Sequence, residues 1–355
     1  MLSEAQFREL VSGRWKGPLA AGLRGLLAAL ELPYRAIVQS RNRRFDSGRA
    51  QPQRVAAPVI SVGNLTVGGT GKTPLVAWLA EWFTQRGLAA TIISRGYKSR
   101  GGRPNDEALE LAARLPGVPH LQNPDRIAAA AQALASNPRQ ALILDDAFQH
   151  RRLARDLDIV LLDALEPFGF ERLLPRGLLR EPAESLARAH VVALSRSDAV
   201  SAERRAEIES RVKRLAPQAL WLELTHRPRG LLSASGRREE LASLRGQSIA
   251  SFCGIGNPDG FRHTLAAAGL NAVELLELPD HCAYDERTIS RLTQWLEGVP
   301  QAAAAVCTQK DLVKIPHEQL AGRPLWAVEI ELAIVRGELE LSRLLEELMA
   351  RAAVR

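Results

Sequence analysis

A glycine-rich segment of eight residues combines backbone N–H groups, a lysine and hydroxyl side chains that could bind phosphate: Thr66-Val67-Gly68-Gly69-Thr70-Gly71-Lys72-Thr73. Backbone N–H groups in such a turn can face an anion, a lysine can reach the β- and γ-phosphates, and a hydroxyl can bind Mg²⁺. We therefore expect Lys72 to contact phosphate and Thr73 to bind Mg²⁺. Thr66 replaces the usual first glycine, so Gly68 and Gly69 must supply the turn. The alternative is a glycine-rich turn with a surface lysine.

An acidic pair, Asp145-Asp146, follows the apolar run 141–144. An apolar strand that ends in a carboxylate, downstream of a phosphate loop, brings an acid next to the Mg²⁺-binding hydroxyl. We expect Asp145 to bind Mg²⁺ together with Thr73. His150 follows closely and is expected in the same site, with a capping or core histidine as the alternative.

A basic loop follows another apolar run, 89–93. Ligands of parallel α/β folds bind beyond the carboxyl ends of the strands, so cations here could contact phosphate. An ordinary solvated loop is the alternative. The cations are Arg95, Lys98, Arg100 and Arg103.

Strand and helix patterns alternate around these motifs. The run 58–62 predicts a strand leading into the phosphate loop, and 75–83 predicts a helix whose positive end faces the bound anion. Further strands are expected at 158–163 and 190–195. This alternation predicts an α/β fold with a P-loop NTPase-like parallel sheet and helices on both faces.

The length of 355 residues is enough for two domains. Pro228 and Gly230 indicate a linker, and a second, smaller α/β segment begins near residue 248. We expect three regions: a basic amphipathic membrane-interface segment 1–50, a P-loop domain 51–225, and a second α/β domain with a closing helix 226–355.

Positive charge is concentrated before the phosphate loop. The chain carries a net charge of +7, and residues 1–56 hold ten basic and four acidic residues, a net charge of +6. Such an arm suits a polyanionic surface, either nucleic acid or anionic lipid. Nucleic acid is disfavoured because the arm has few aromatic residues and no recognised nucleic-acid-binding module follows it.

The spacing of five leucines in this arm predicts an amphipathic helix that ends at Pro33 and carries all five on one face. They are Leu19, Leu23, Leu26, Leu27 and Leu30. It is too short and too charged to span a bilayer, which takes ~20 apolar residues. Trp15, Lys16 and Arg24 beside this face favour a helix lying in the membrane interface. The alternative is a helix packed on the protein's own core.

Seven segments form a recognisable set along most of the chain: Val59-Ile60-Ser61-Val62-Gly63-Asn64-Leu65-Thr66 running into Val67-Gly68-Gly69-Thr70-Gly71-Lys72-Thr73-Pro74, Ser94-Arg95-Gly96-Tyr97, Asp145-Asp146-Ala147-Phe148-Gln149-His150, Leu173-Leu174-Pro175-Arg176-Gly177, Gly254-Ile255-Gly256-Asn257-Pro258, Pro279-Asp280-His281 and Thr308-Gln309-Lys310-Asp311. In content and order the set closely resembles the tetraacyldisaccharide 4′-kinase (lipid A 4′-kinase) family. The threonine at position 66 is part of this likeness, because the family's phosphate loop begins that way.

The resemblance implies transfer of the γ-phosphoryl group of ATP, with Mg²⁺, to the 4′-hydroxyl of tetraacyldisaccharide 1-phosphate. The product would be lipid IVA, in lipid A biosynthesis. It also implies two α/β domains joined by a strand linker, with an N-terminal helix on the cytoplasmic face of the inner membrane. The expected partners are this glycolipid substrate and the membrane surface, without nucleic acid.

The resemblance also implies roles for individual residues. Thr66 to Thr73 would bind ATP, with Lys72 on its phosphates, while Thr73 and Asp145 would serve Mg²⁺. The residues expected to line the site are Asp146, Gln149, His150 and Arg95.

Asp106 and His281 match the family's catalytic dyad, in which the carboxylate takes the proton of the attacking sugar hydroxyl and the histidine orients the carboxylate. If Asp106 belongs to the P-loop domain and His281 to the second, domain closure would assemble the site and exclude water. From the residues alone, Asp106 would be a helix N-terminal acid and His281 a loop histidine.

Two other functions remain open at this point. One is a P-loop GTPase or metal-chaperone-type switch in which Lys310-Asp311 reads guanine. The other is a membrane-bound ATPase switch that acts by binding partners rather than by transferring phosphate to an acceptor.

Overall fold

A computed structural model describes residues 4–96 and 106–353. The chain divides into two compact units. The first unit comprises Met1–Arg95, Val118–Leu224 and Ile334–Arg355, and the second comprises Gly96–Gly117 and Thr225–Ala333. This grouping differs from the linear division expected from the sequence, because 96–117 joins the second unit and 334–355 joins the first.

The first unit is an α/β layer structure. Its helices are α1 (Glu4–Ser12), α2 (Pro18–Asp46), α3 (Lys72–Gln85), α5 (Arg126–Ser136), α6 (Ala202–Leu215) and α10 (Glu338–Ala353). Helix α4 (Asp106–Arg114) belongs to the second unit. Its strands are β1 (Val59–Asn64), β2 (Ala89–Ser94), β3 (His120–Gln122), β4 (Gln140–Asp145), β5 (Leu157–Asp163), β6 (Val191–Ser195) and the first part of β7 (Leu220–Leu232).

The strands of the first unit form a parallel sheet in the order β7-β6-β5-β1-β4-β2-β3. Strand β1 is central and buried along its whole length, which suits the near-continuous apolar run of a parallel strand. Val62 of β1 pairs with Asp145 of β4, so the phosphate loop and the acidic pair leave the sheet at the same edge. The expected α/β class is therefore confirmed.

Helices cover this sheet with aliphatic side chains. Helix α3 packs on β1, β2 and β4, and α5 packs on β2 and β3. Helix α6 contributes Ile208 and Val212 to a buried cluster with Val160 and Val192. Only glycine fits at position 63, because a Cβ there would lie 2.6 Å from the Cβ of Phe148.

The second unit has its own buried core around a smaller parallel sheet, in the order β10-β9-β11-β13. Short strands pair antiparallel with β13 and with the end of β7. Its elements after β7 are β8 (Arg238–Glu239), β9 (Ser248–Cys253), α7 (Pro258–Ala267), β10 (Asn271–Glu277), α8 (Glu286–Glu297), β11 (Ala304–Thr308), α9 (Gln309–Leu312), β12 (Gln319–Leu320) and β13 (Arg323–Arg336), whose last residues belong to the first unit.

Helix α2 does not end at Pro33, so that expectation was wrong. It continues to Asp46 and is 29 residues long. An internal proline costs a helix about 3 kcal/mol, and tertiary contacts on both sides of Pro33 offset this. The buried carboxylate of Glu31 accepts a hydrogen bond from the Leu173 N–H, and the Tyr34 hydroxyl donates to the Arg180 carbonyl.

Pro228 and Gly230, where a linker was expected, both lie within β7, the strand that continues from the first unit into the second. Proline costs a strand only the hydrogen bond that its nitrogen would donate, so it is tolerated where that bond is not needed. In the part of the chain that the structure describes, no helix is both long and apolar enough to cross a membrane.

Candidate functional site

The phosphate loop connects β1 to α3 as the sequence predicted. Helix α3 begins at Lys72, and Gly71 before it has φ 81°. Gly68 has φ 116°, which side chains of L-residues rarely allow. The N–H groups of the first turn of α3 and its positive dipole end therefore face the loop, as anion binding requires.

Neighbouring segments hold the start of this loop in place. The Asn64 side-chain amide donates to the Thr66 carbonyl at 2.8 Å, and the Gln149 amide donates to the Asn64 carbonyl at 2.9 Å. The Val67 N–H donates to the Leu178 carbonyl at 2.8 Å. Gln149, which was expected to line the site, therefore hydrogen-bonds the backbone just before the loop.

Asp146 pairs with two cations, Lys72 of the loop and Arg180. Its carboxylate lies 3.4 Å from the Lys72 ammonium and accepts two hydrogen bonds of 2.8 Å from the Arg180 guanidinium. Burial would raise the pKa of Asp146, but Lys72 and Arg180 together hold this pKa well below its usual range. Asp146 also has φ 51°, a left-handed conformation that is costly outside glycine. The carboxylate is therefore ionised and fixes the direction of the Lys72 side chain.

The residues expected to bind Mg²⁺ have the right chemistry. Asp145 is buried at the end of β4, and Thr73 lies in the first turn of α3. A carboxylate and a hydroxyl are both oxygen ligands, and Mg²⁺ takes one or two such protein ligands together with phosphate oxygens and water. This donor set fits Mg²⁺ bound with a nucleotide.

Sequence reasoning missed three arginines near the loop. Arg180 lies in the loop between β5 and β6, and its N–H donates to the Leu65 carbonyl beside the phosphate loop. Arg196, after β6, bonds Asp163 at 2.7 Å and the Gly69 carbonyl at 3.2 Å. Asp163 is the last residue of β5, and Arg196 directly follows the neighbouring strand β6. Ligands of parallel α/β folds bind beyond these carboxyl ends, so this position could have identified both residues.

The third missed arginine is Arg126, the first residue of α5, which is 4% exposed. Burial lowers its pKa, whereas the carboxylates of Asp146 and Asp145 act in the opposite direction. Arg95, an expected site residue, is exposed at the end of β2 and is close enough to repel Arg126 electrostatically. This edge of the sheet therefore combines an acidic pair with several cations.

His150 lies in the turn after Asp146 and is half-buried. Its pKa is lowered to about 4, mainly by burial and then by the charges of Arg126, Arg152 and Arg155. At neutral pH His150 is therefore uncharged and can act beside the acidic pair only as a neutral hydrogen-bonding group.

The two residues of the expected dyad lie in the second unit, rather than in separate units as the closure hypothesis required. Asp106 is the first residue of α4, and its side chain is outside the described part. His281 follows β10, with its N–H donating to the Gly254 carbonyl at 3.2 Å and its Nε2 3.6 Å from the Asp280 carboxylate. Lys98, Arg100 and Arg103 also fall outside the described residues.

Asp311 is enclosed by the core of the second unit. Its carboxylate is fully buried and accepts hydrogen bonds from the Gly254 N–H and the Thr308 hydroxyl. A guanine-reading aspartate needs a carboxylate that can reach the base, so the GTPase alternative is not favoured.

Comparison with known proteins decides the family. A family model described as "LpxK: Tetraacyldisaccharide-1-P 4'-kinase" matches residues 23–350. The chain belongs to this family. Its relatives include the tetraacyldisaccharide 4'-kinase of Anaeromyxobacter sp. (strain Fw109-5), 38% identical over 96% of both chains. That of Syntrophus aciditrophicus (strain SB) is 36% identical over 87% of this chain and 89% of the relative.

A solved structure of the same family gives a similar fold. The crystal structure of LpxK from Aquifex aeolicus in complex with ATP is 28% identical in sequence, with a TM-score of 0.71. The match covers 92% of this chain and 99% of the Aquifex chain. Family membership therefore extends over both units.

The lowered pKa of His150 predicts a pH-dependent stability. The unfolded side chain titrates near 6.5 and the folded one near 4, so between these values the unfolded chain binds the extra proton. The free energy of unfolding must then fall as the pH drops from about 6.5 to about 4. Between pH 7 and pH 5, we expect the melting temperature of His150→Gln to fall less than that of the wild type, and the difference between the two falls to be on the order of 2 °C.

The matched control is His317→Gln, at an exposed histidine, which should follow the wild type. Both variants are compared by thermal denaturation at the two pH values. An equal loss of melting temperature in His150→Gln and the wild type would contradict the assignment of a buried, neutral His150.

Proposed function

We propose that this chain is the kinase that transfers the γ-phosphoryl group of ATP to the 4′-hydroxyl of tetraacyldisaccharide 1-phosphate, giving lipid IVA in lipid A biosynthesis. The observation that carries this proposal is family membership from residue 23 to residue 350. An intact phosphate loop at the edge where β1 and β4 end supports the nucleotide half of the reaction.

The first unit supplies the groups for the phosphates. Thr66 to Thr73 would bind ATP, with Lys72 on the β- and γ-phosphates, and Thr73 and Asp145 would bind Mg²⁺. When bound, Mg²⁺ neutralises charge on the phosphate oxygens. Asp146 would keep Lys72 oriented, since a lysine side chain otherwise samples many rotamers.

The second unit would supply the proton acceptor. In the transfer, the 4′-oxygen forms a bond to the γ-phosphorus, the bond from that phosphorus to the β,γ-bridging oxygen breaks, and ADP leaves. The hydroxyl proton passes to the Asp106 carboxylate, which His281 would orient. The constrained turn that carries His281 supports its role in orienting the carboxylate.

The direct test measures transfer of label from γ-labelled ATP to tetraacyldisaccharide 1-phosphate. Lys72→Ala should lower the rate by at least about a thousandfold with the melting temperature nearly unchanged, because charge neutralisation at the transferred phosphoryl group is lost. Lys213→Ala, at an exposed lysine of α6, is the control and should keep full activity.

Two results would contradict the kinase proposal. One is near-normal transfer by folded Lys72→Ala. The other is ATP hydrolysis at the same rate with and without the glycolipid, which would favour the ATPase switch.

The dyad predicts coupled losses. Asp106→Ala and His281→Ala should each lower kcat strongly, and the double variant should be little slower than the worse single variant, because both act in one proton transfer. Single-turnover rates of the four proteins form a double-mutant cycle. Fully additive losses would show that the two residues do not act as a pair.

We also propose that α2 binds the cytoplasmic face of the inner membrane as an interfacial helix. Four apolar side chains spaced i, i+7, i+11 and i+18 form an exposed apolar stripe: Leu19 at 67%, Leu26 at 59%, Leu30 at 49% and Ile37 at 68% exposure. Arg44 extends this side of the helix toward its C-terminal end, whereas Arg41 pairs with the buried Glu181. An apolar stripe that ends in a basic residue suits an anionic lipid surface.

The stripe predicts a position-specific loss of membrane binding. Leu26→Glu should weaken binding to phosphatidylglycerol–phosphatidylethanolamine vesicles about tenfold, since burial of one leucine contributes about 1.5–3 kcal/mol. Leu32→Glu is the matched control, because Leu32 is equally exposed but lies roughly 140° around the helix from the stripe. Equal sedimentation of the two variants with vesicles would contradict the proposed membrane face.

A further inference from the structure

The turn that carries His281 has a costly backbone. His281 has φ 64° and Tyr284 has φ 49°, so two residues with side chains adopt the left-handed conformation within four positions. Each such residue costs on the order of 1–3 kcal/mol and persists only where its surroundings fix it. The contacts that fix this turn are therefore informative about how His281 is positioned.

Two lysines four positions apart in sequence contact the residues on both sides of His281. The Lys310 ammonium donates to the Asp280 carboxylate at 3.1 Å. The Lys314 ammonium donates to the Cys282 carbonyl at 3.0 Å and lies 4.8 Å from the centre of the Tyr284 ring. Both lysines are mostly buried, with 17% and 7% of their side chains exposed.

Asp311, between these lysines in sequence, links Lys314 to residues at the ends of β9 and β11. Its buried carboxylate accepts from the Gly254 N–H at 3.1 Å and from the Thr308 hydroxyl at 2.7 Å, and lies 3.6 Å from the Lys314 ammonium. The carbonyl of the same Gly254 accepts the His281 N–H. A Cβ at Gly254 would lie only 3.1–3.2 Å from Tyr284, Asp311 and Cys282, so the group is closely packed.

The same segment also touches the helix of the other dyad residue. Helix α4, which begins at Asp106, packs against α9, which contains Lys310 and Asp311. Within the second unit, α9 thus contacts both the helix that begins with Asp106 and the turn that carries His281.

We propose that Lys310 and Lys314 are positioning residues for the phosphoryl transfer, which fix His281 by holding Asp280 and Cys282 on either side of it. Lys310 and Lys314 act through His281 rather than on a substrate. This inference rests on the role of His281 proposed above. It gives a function to the Lys310-Asp311 pair, whose base-reading role the burial of Asp311 disfavours.

The test uses the full-length protein in the lipid phosphorylation assay. Lys310→Met should lower kcat about tenfold with the KM for ATP within about twofold of the wild type, because the reacting groups lose orientation while the nucleotide site is unchanged. Lys310→Arg should recover most of kcat, since arginine can keep the ion pair with Asp280. Lys213→Met is the matched control, at an exposed lysine, and should be neutral.

A second background separates positioning from simple stability. In the His281→Ala protein, Lys310→Met should cause no further loss of the residual single-turnover rate, because the residue through which it acts is gone. An equal loss in both backgrounds, or a normal kcat in Lys310→Met, would overturn the positioning role. Asp280→Asn should reproduce the effect of Lys310→Met, and the two changes together should not add.

Failure of the underlying function gives a different result. Full activity of folded His281→Ala would overturn the dyad itself and the positioning role with it. A strong loss in His281→Ala with normal Lys310→Met would overturn the positioning role alone. Melting temperatures of all variants are measured in parallel. A fall in kcat that is fully explained by a smaller fraction of folded protein would also count against the proposal.

Discussion

The ion cluster of Lys72, Asp146 and Arg180 is the interaction on which the first unit's site depends. A phosphate loop must gather positive charge, and that charge is costly to concentrate without an anion nearby. Asp146 offsets this cost with a carboxylate placed between the two cations. Its left-handed backbone is the conformational cost of that placement. The site is therefore prepared for phosphate by internal charge balance.

The rest of the first unit holds this cluster in position. Parallel pairing of β1 with β4 sets Lys72 and Asp146 at one edge of the sheet. Arg180 is held by a main-chain hydrogen bond to Leu65, just before the loop. The adjacent Glu181 is fully buried and paired with Arg41 and Arg188, and breaking such a buried pair costs about 3–5 kcal/mol.

The sequence predicted the parts that depend on local pattern. The strand before the phosphate loop, the helix after it and the acid after β4 follow from apolar runs and turn residues. Arg180 and Arg196 could not be found in this way, because their partners lie far along the chain; Arg196, for example, is 127 positions after Gly69. The prediction that α2 ends at Pro33 was wrong for a related reason. Contacts from Glu31 and Tyr34 to distant residues offset the local cost of the proline.

Helix α2 makes a direct hydrogen bond to a residue of the phosphate site. The helix that bears the exposed apolar stripe also donates from Tyr34 to the carbonyl of Arg180, the residue that binds Asp146. Removing residues 18–46 from the chain would therefore also remove the Tyr34 hydrogen bond to the residue that pairs with Asp146. A fragment prepared in this way would lack one of the contacts that position Arg180, so the intact helix is needed when the kinase activity is measured.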